Sequence, residues 1–255
     1  MPKELNDEKF EDFKTKFYFF VNKLKNNEYF SWLSYGDGEF SFIFDKTSIS
    51  NREIYYPNCR KELIETLYNC KSPGLYLSTI IEGVGGKDYP NLIKQAKKLI
   101  EKIGIQKRHD ARLFYELLRW TSLGDIRYPP LTREFIETLR KKELVLIGGR
   151  YLKVLKEKGL FKEFKLIEIP TLGAYLENDR VENEILRYGK PAVYCFTAGI
   201  TSNIIISNLH NKLKKSFLLD MGAFWDFLLG IGPRAVSQWR YPMLKNILKL
   251  EFYVE

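Results

Sequence analysis

Two carboxylates one residue apart, Asp37 and Glu39, stand between glycines in Ser34-Tyr35-Gly36-Asp37-Gly38-Glu39-Phe40. The preceding run Tyr29-Phe30-Ser31-Trp32-Leu33 reads as a buried strand, which places the pair where that strand gives way to a loop. Residues two apart in extended backbone point the same way, about 6–7 Å apart along the chain. Two hard oxygen donors so placed could share a divalent cation, and Gly36 and Gly38 would let a bulky anion reach the backbone. That chemistry suits a diphosphate. An ordinary solvated Asp-Gly turn is the competing reading of the same residues.

Other candidate groups follow apolar runs later in the chain. Leu144-Val145-Leu146-Ile147 ends in Gly148-Gly149-Arg150, Ala192 to Phe196 ends in Thr197-Ala198-Gly199, and Phe217-Leu218-Leu219 ends in Asp220. Ligands of open parallel sheets bind at the carboxyl ends of strands. Thr197 to Ser202 has the character of a phosphate-cradling turn, because the helix it opens would present unpaired N–H groups and a positive dipole end. The chain lacks a Gly-Lys-Ser/Thr Walker segment and the spacing of a dinucleotide fingerprint, so neither a P-loop ATPase nor a Rossmann dehydrogenase is supported.

The elements that would carry these groups can be traced. Phe10, Phe13, Phe17, Val21 and Leu24 recur at helical spacing, predicting an amphipathic helix over 3–27 packed on the sheet. Helices are expected over Pro57–Cys70, Tyr89–Ile103 and Asp110–Leu118, with a short strand at Leu75-Tyr76-Leu77. Trp120 to Pro130 reads as a loop, with Thr132 as the cap of the next helix. From residue 143 strands and helices alternate: a helix follows Arg150 through Lys158, then a strand over Leu166–Ile169, helices over 177–187 and 201–213, and the strands already named. This pattern predicts an α/β fold whose mostly parallel sheet is covered by helices on both faces. Leu248 to Val254 alternates in the manner of an edge strand.

Composition narrows the class. A hydrophobic content of 45% excludes a disordered chain. No apolar run approaches the roughly 20 residues of a membrane span, and the N-terminus is too charged for a secretory signal. Cys59, Cys70 and Cys195 are odd in number and widely spaced, which suits a reducing, cytoplasmic setting better than a disulfide framework. With His109 and His210 the sole histidines, structural zinc is disfavoured, and Mg²⁺ or Mn²⁺ on oxygen ligands is the natural cofactor. The net charge of +9 attracts polyanions, although most of the lysines fall on solvated helical faces.

Tyr35-Gly36-Asp37-Gly38-Glu39-Phe40 resembles the signature of the GT-D fold glycosyltransferases, a Rossmann-like family first described as a domain of unknown function. Leu144 to Arg150, Phe196-Thr197-Ala198-Gly199 and Leu219-Asp220-Met221-Gly222-Ala223-Phe224-Trp225-Asp226 are similar to later parts of that family's pattern, from about residue 29 to 230. The resemblance implies one domain over 1–255, with 1–28 an N-terminal helix and 231–255 a C-terminal extension. It implies transfer of a sugar from a nucleotide-diphosphate donor, a UDP-sugar first, with Asp37 and Glu39 on a divalent cation at the diphosphate. Gly36, Gly38, Gly148, Gly149, Arg150, Thr197, Ala198 and Gly199 are the candidates for holding the donor. Asp220 and Asp226 are the first candidates for the catalytic base, with Arg108-His109-Asp110 as another. The acceptor is left open among glycan, lipid-linked glycan, protein and nucleic acid. The rival reading is a nucleic-acid-binding protein, in which Arg234, Trp239, Arg240, Tyr241 and Lys245 track phosphates and stack bases. The same residues would also serve a peripheral contact with anionic membrane.

Overall fold

A strand such as Leu144-Val145-Leu146-Ile147 is apolar on both faces of its pleat and needs cover on each side. The computed structural model, which describes residues 7–46, 54–79, 90–105, 108–109, 113–122 and 125–229, provides that cover. Its elements run α1 (Asp7–Asn26), β1 (Ser31–Tyr35), α2 (Asp37–Phe44), α3 (Pro57–Asn69), β2 (Leu75–Thr79), α4 (Pro90–Ile103), β3 (Arg108–His109), α5 (Leu113–Ser122) and α6 (Tyr128–Arg140). They continue through β4 (Leu144–Gly148), a 3-10 turn at Arg150–Lys153, α7 (Val154–Glu157), β5 (Lys165–Glu168) and a second 3-10 turn at Ala174–Glu177. Then come α8 (Asn178–Tyr188), β6 (Val193–Phe196), α9 (Ile200–His210), β7 (Phe217–Asp220) and α10 (Phe224–Leu229).

The strands form one sheet in the order β3-β2-β1-β7-β6-β4-β5, and every pairing is parallel. Alternate strand residues feed separate cores. Trp32, Leu144, Leu146, Val193, Cys195, Phe217 and Leu219 join the aromatic stripe of α1 with α5, α6 and α10 on one face. Leu33, Val145, Ile147, Tyr194, Phe196 and Leu218 join α2, α3, α4, α8 and α9 on the other. The Rossmann-like sheet with helices on both faces, and the amphipathic N-terminal helix, are therefore as expected.

Several local expectations are corrected. No loop follows β1: α2 begins at Asp37, immediately beyond Gly36. Thr132 lies one turn inside α6, where its hydroxyl donates to the Tyr128 carbonyl at 3.2 Å. Pro129 in the first turn starts that helix instead, because its fixed φ and missing N–H suit a position with no intrahelical partner. The expected Trp120–Pro130 loop is correspondingly short, since α5 continues to Ser122. The single helix expected after Arg150 is a 3-10 turn followed by the four residues of α7. Arg108 and His109 form β3 opposite Leu77 and Ser78, whereas the sequence placed His109 at a helix start. The Leu248–Val254 strand and the Arg234–Lys245 stretch lie outside the described residues. Among the described residues, no helix is long and apolar enough to cross a membrane.

Candidate functional site

Parallel βα units direct the carboxyl ends of their strands and the N-termini of the following helices to the same edge of the sheet. The chain after β4 goes to β5 on one side, whereas the chain after β6 goes to β7 on the other. The β4–β6 boundary is therefore a topological switch point, the position at which open α/β sheets commonly hold a ligand crevice. Gly148-Gly149-Arg150 and Thr197-Ala198-Gly199 form the two lips of that boundary. Their closeness is direct: a Cβ on Gly148 would meet Thr197 Cβ at 3.3 Å. The Thr197 N–H donates to Ile147 O at 2.7 Å, and the Met221 N–H donates to Phe196 O at 2.9 Å, so the β4, β6 and β7 ends lie in one row. β1 continues the row beyond β7.

At the β6 lip, Gly199 is the N-cap of α9 at φ 60°, ψ −142°, and no side chain caps the helix. Ser202 Oγ instead accepts the Ala198 N–H at 3.0 Å. The hydroxyls of Thr197 and Thr201 are buried without a hydrogen-bond partner among the described residues. At the β4 lip, Arg150 is exposed. It lies close enough to Glu168 to help hold that carboxyl below its usual range, secondary to the hydrogen bond from Lys153.

At the end of β1 the acidic pair is arranged differently from the extended geometry expected. Asp37 is the first residue of α2 and is exposed, while Glu39 is buried two residues on. In a helix such residues are about 200° apart around the axis and do not project together. Glu39 Oε2 accepts the Gly36 N–H at 2.5 Å, one half of a capping box. Gly36 and Gly38 flank Asp37 as the sequence suggested. The N-termini of α2 and α9 both open on this edge, which favours an anion there.

The base candidates are enclosed. Asp220 is 5% exposed and accepts the Gly222 N–H at 3.0 Å. Asp226 is 3% exposed and accepts the Tyr151 hydroxyl at 2.6 Å. Asp220 therefore borders the row of strand ends, while Asp226 lies within α10. β3, with Arg108 and His109, is at the far margin of the sheet, separated from β1 by β2. His210 is at the opposite end of β1, hydrogen-bonded to Ser31 Oγ at 2.8 Å and to Pro73 O at 3.0 Å.

Residues not singled out in the sequence also shape the site. Asn203 Oδ1 accepts the Ser34 N–H at 2.9 Å, and its Nδ2 donates to Ser34 O at 3.1 Å. Tyr151 covers Gly149, where a Cβ would lie 2.5 Å from its ring. An Asn directly before the apolar run Ile204-Ile205-Ile206 of α9 is the signal available for the first of these.

The donor set suits an oxygen-bound divalent ion only in part. Among the described residues, no cluster of three or more His, Cys, Asp or Glu side chains could hold a metal. A Mg²⁺-type ion commonly takes one or two carboxylates and completes its shell with water and phosphate oxygens. The exposed Asp37 carboxylate fits that role. Glu39 fits only if it gives up or shares its bond to Gly36.

Neither a family model nor a curated protein sequence matches the chain. Among solved structures it is similar to a glycosyltransferase, DUF1792, from Streptococcus sanguinis, with a TM-score of 0.64 and 15% identity over 84% of each chain. It is also similar to a domain of unknown function 1792 described as having a distinct glycosyltransferase fold, with a TM-score of 0.63 and 15% identity over 87% of this chain and 85% of that one. The chain shares the fold of these proteins, which is the fold that the Tyr35–Phe40 resemblance implied.

Proposed function

We propose that this protein is a metal-dependent glycosyltransferase that takes a sugar from a nucleoside-diphosphate donor, with a UDP-sugar as the first candidate. The observation that carries this reading is the alignment of Asp37, the Gly148–Arg150 turn and the Thr197–Gly199 turn along one edge of the sheet, at the ends of β1, β4 and β6. The fold they sit on is shared with a protein named as a glycosyltransferase. Asp37 would hold Mn²⁺ or Mg²⁺, with Glu39 joining it if its cap is released. When bound, the ion supplies neutralisation of the charge that develops on the departing diphosphate. The amides of Gly149 and Gly199 offer donors to phosphate oxygens, with Gly148 and Ala198 holding the turns in place through their own backbone bonds, and the exposed Arg150 guanidinium adds a bidentate cation.

Transfer to a hydroxyl acceptor by direct displacement needs a carboxylate within hydrogen-bond reach of that hydroxyl. Asp220, at the end of β7, is the first candidate. Asp226, held by Tyr151, is the second. Cys59, Cys70 and Cys195 are buried thiols outside any disulfide, in keeping with a reducing compartment.

The test is calorimetric titration of UDP with Mn²⁺, with EDTA, and with Asp37→Asn. A metal-dependent gain in affinity that is lost in EDTA and in the variant supports the reading. Silence toward UDP and other nucleoside diphosphates, in every state, would reduce the likeness to fold alone and return the nucleic-acid reading to the front.

A further inference from the structure

β1 is longer than its neighbour on one side. Its pairing with β7 is recorded at Ser31↔Leu218 and Trp32↔Leu219. Phe30 accepts the Leu218 N–H at 3.2 Å, so even-numbered β1 residues direct their backbone groups toward β7. Ser34 has the same parity, but at its level β7 has ended and the chain has turned away through Met221 and Gly222. A buried strand end with an unpaired N–H and C=O would be costly. The Asn203 carboxamide fills that place, accepting from Ser34 N and donating to Ser34 O, as a neighbouring strand residue would. Asn203 is fully buried in the first turns of α9, four residues after the Gly199 cap. Ser34 is three residues before Asp37. One amide therefore ties the strand end that delivers the carboxylate to the helix whose N-terminus forms the phosphate-side lip.

From this geometry we infer that Asn203 is the positioning residue that sets the spacing between the Asp37 metal site and the β6–α9 turn, so that one ion and one diphosphate are engaged together. The inference rests on the proposed nucleotide-sugar reading. Without the carboxamide, β1 keeps its β2 ladder, Ser31↔Leu75 through Tyr35↔Thr79, and the Tyr35 hydroxyl keeps its bond to Leu63 O. The fold thus has other supports, but the placement of Asp37 relative to α9 loses its direct tie.

The experiment is UDP titration at a series of Mn²⁺ concentrations, and in EDTA, on the wild type, Asn203→Ala and Asn203→Asp. Asn203→Asp keeps the acceptor and removes the donor to Ser34 O, and it serves if the alanine variant does not fold. His210→Ala, which loosens the opposite end of the same strand–helix pair, controls for general destabilisation. The expected result is a rise of about 10- to 100-fold in the Mn²⁺ concentration for half-maximal UDP binding, the usual effect of losing an orienting partner. Metal-free UDP affinity should stay unchanged, and His210→Ala should not move the Mn²⁺ requirement. A wild-type Mn²⁺ requirement in folded Asn203 variants overturns the inference and leaves the functional reading standing. A wild type that does not bind UDP with Mn²⁺ overturns both.

Discussion

Gly199 holds φ 60°, ψ −142°, a backbone combination that L side chains rarely adopt. That conformation sits where β6 turns into α9 and determines how the Gly199 amide is set relative to the helix. An alanine there would cost about 1–3 kcal/mol if the conformation persisted, and would swing the amide away if it relaxed. Gly199→Ala should therefore lower the melting temperature and weaken UDP binding even in EDTA, because the loss is on the phosphate side. Asp37→Asn should show the complementary behaviour, with the fold and metal-free affinity kept and the metal-dependent part of the binding gone. Isothermal titration of the two variants with and without Mn²⁺ separates these effects; identical profiles would mean that the two residues do not divide the site as proposed.

α9 is fastened to β1 near both ends, by Asn203 at the site and by His210 at the far edge. The Nε2–H of neutral His210 donates to Pro73 O while Nδ1 accepts from the Ser31 hydroxyl. Burial lowers its pKa, and the Pro73 carbonyl only partly offsets that. The unfolded chain then takes up the proton more readily than the folded one, so stability from this contact is complete above the unfolded value of about 6.5 and falls as pH drops through the folded value. Urea denaturation from pH 7.5 to 5 should show a loss of stability that is smaller in His210→Ala; equal slopes would remove His210 from the account. The same region shows what could be read in advance. Strands β4, β6 and β7 were legible because both of their faces are apolar, and α1 because its phenylalanines repeat at helical spacing. α2 was hidden because Gly36-Asp37-Gly38 has the composition of a turn, and the local Glu39 cap that starts the helix has Gly36 where the usual capping signature has Ser or Thr. β3 has two residues and no period to detect. Asn203 reads as an ordinary helical Asn until the register of β1 and β7 is known.

The sheet separates two cores. α2 and α9, which carry the candidate phosphate and metal groups, pack on one face, while α1 closes the other. Phe20 of α1 is fully buried, with its ring centroid 4.5 Å from Trp32, 5.1 Å from Phe30 and 5.0 Å from Tyr76. Truncating such a side chain removes the transfer free energy of the ring and leaves a cavity, at a cost of about 3–5 kcal/mol. That is a large part of the roughly 5–15 kcal/mol that typically holds a domain folded. Because the cavity opens on the α1 face, the backbone ties at Ser34 and Gly199 should be untouched. Phe20→Ala is thus expected to lower the urea midpoint strongly while the folded protein keeps its Mn²⁺-dependent affinity for UDP. A parallel loss of affinity under conditions where circular dichroism shows the fold intact would mean that Trp32 transmits α1 packing along β1 to Asp37. The site would then depend on both cores and not on one.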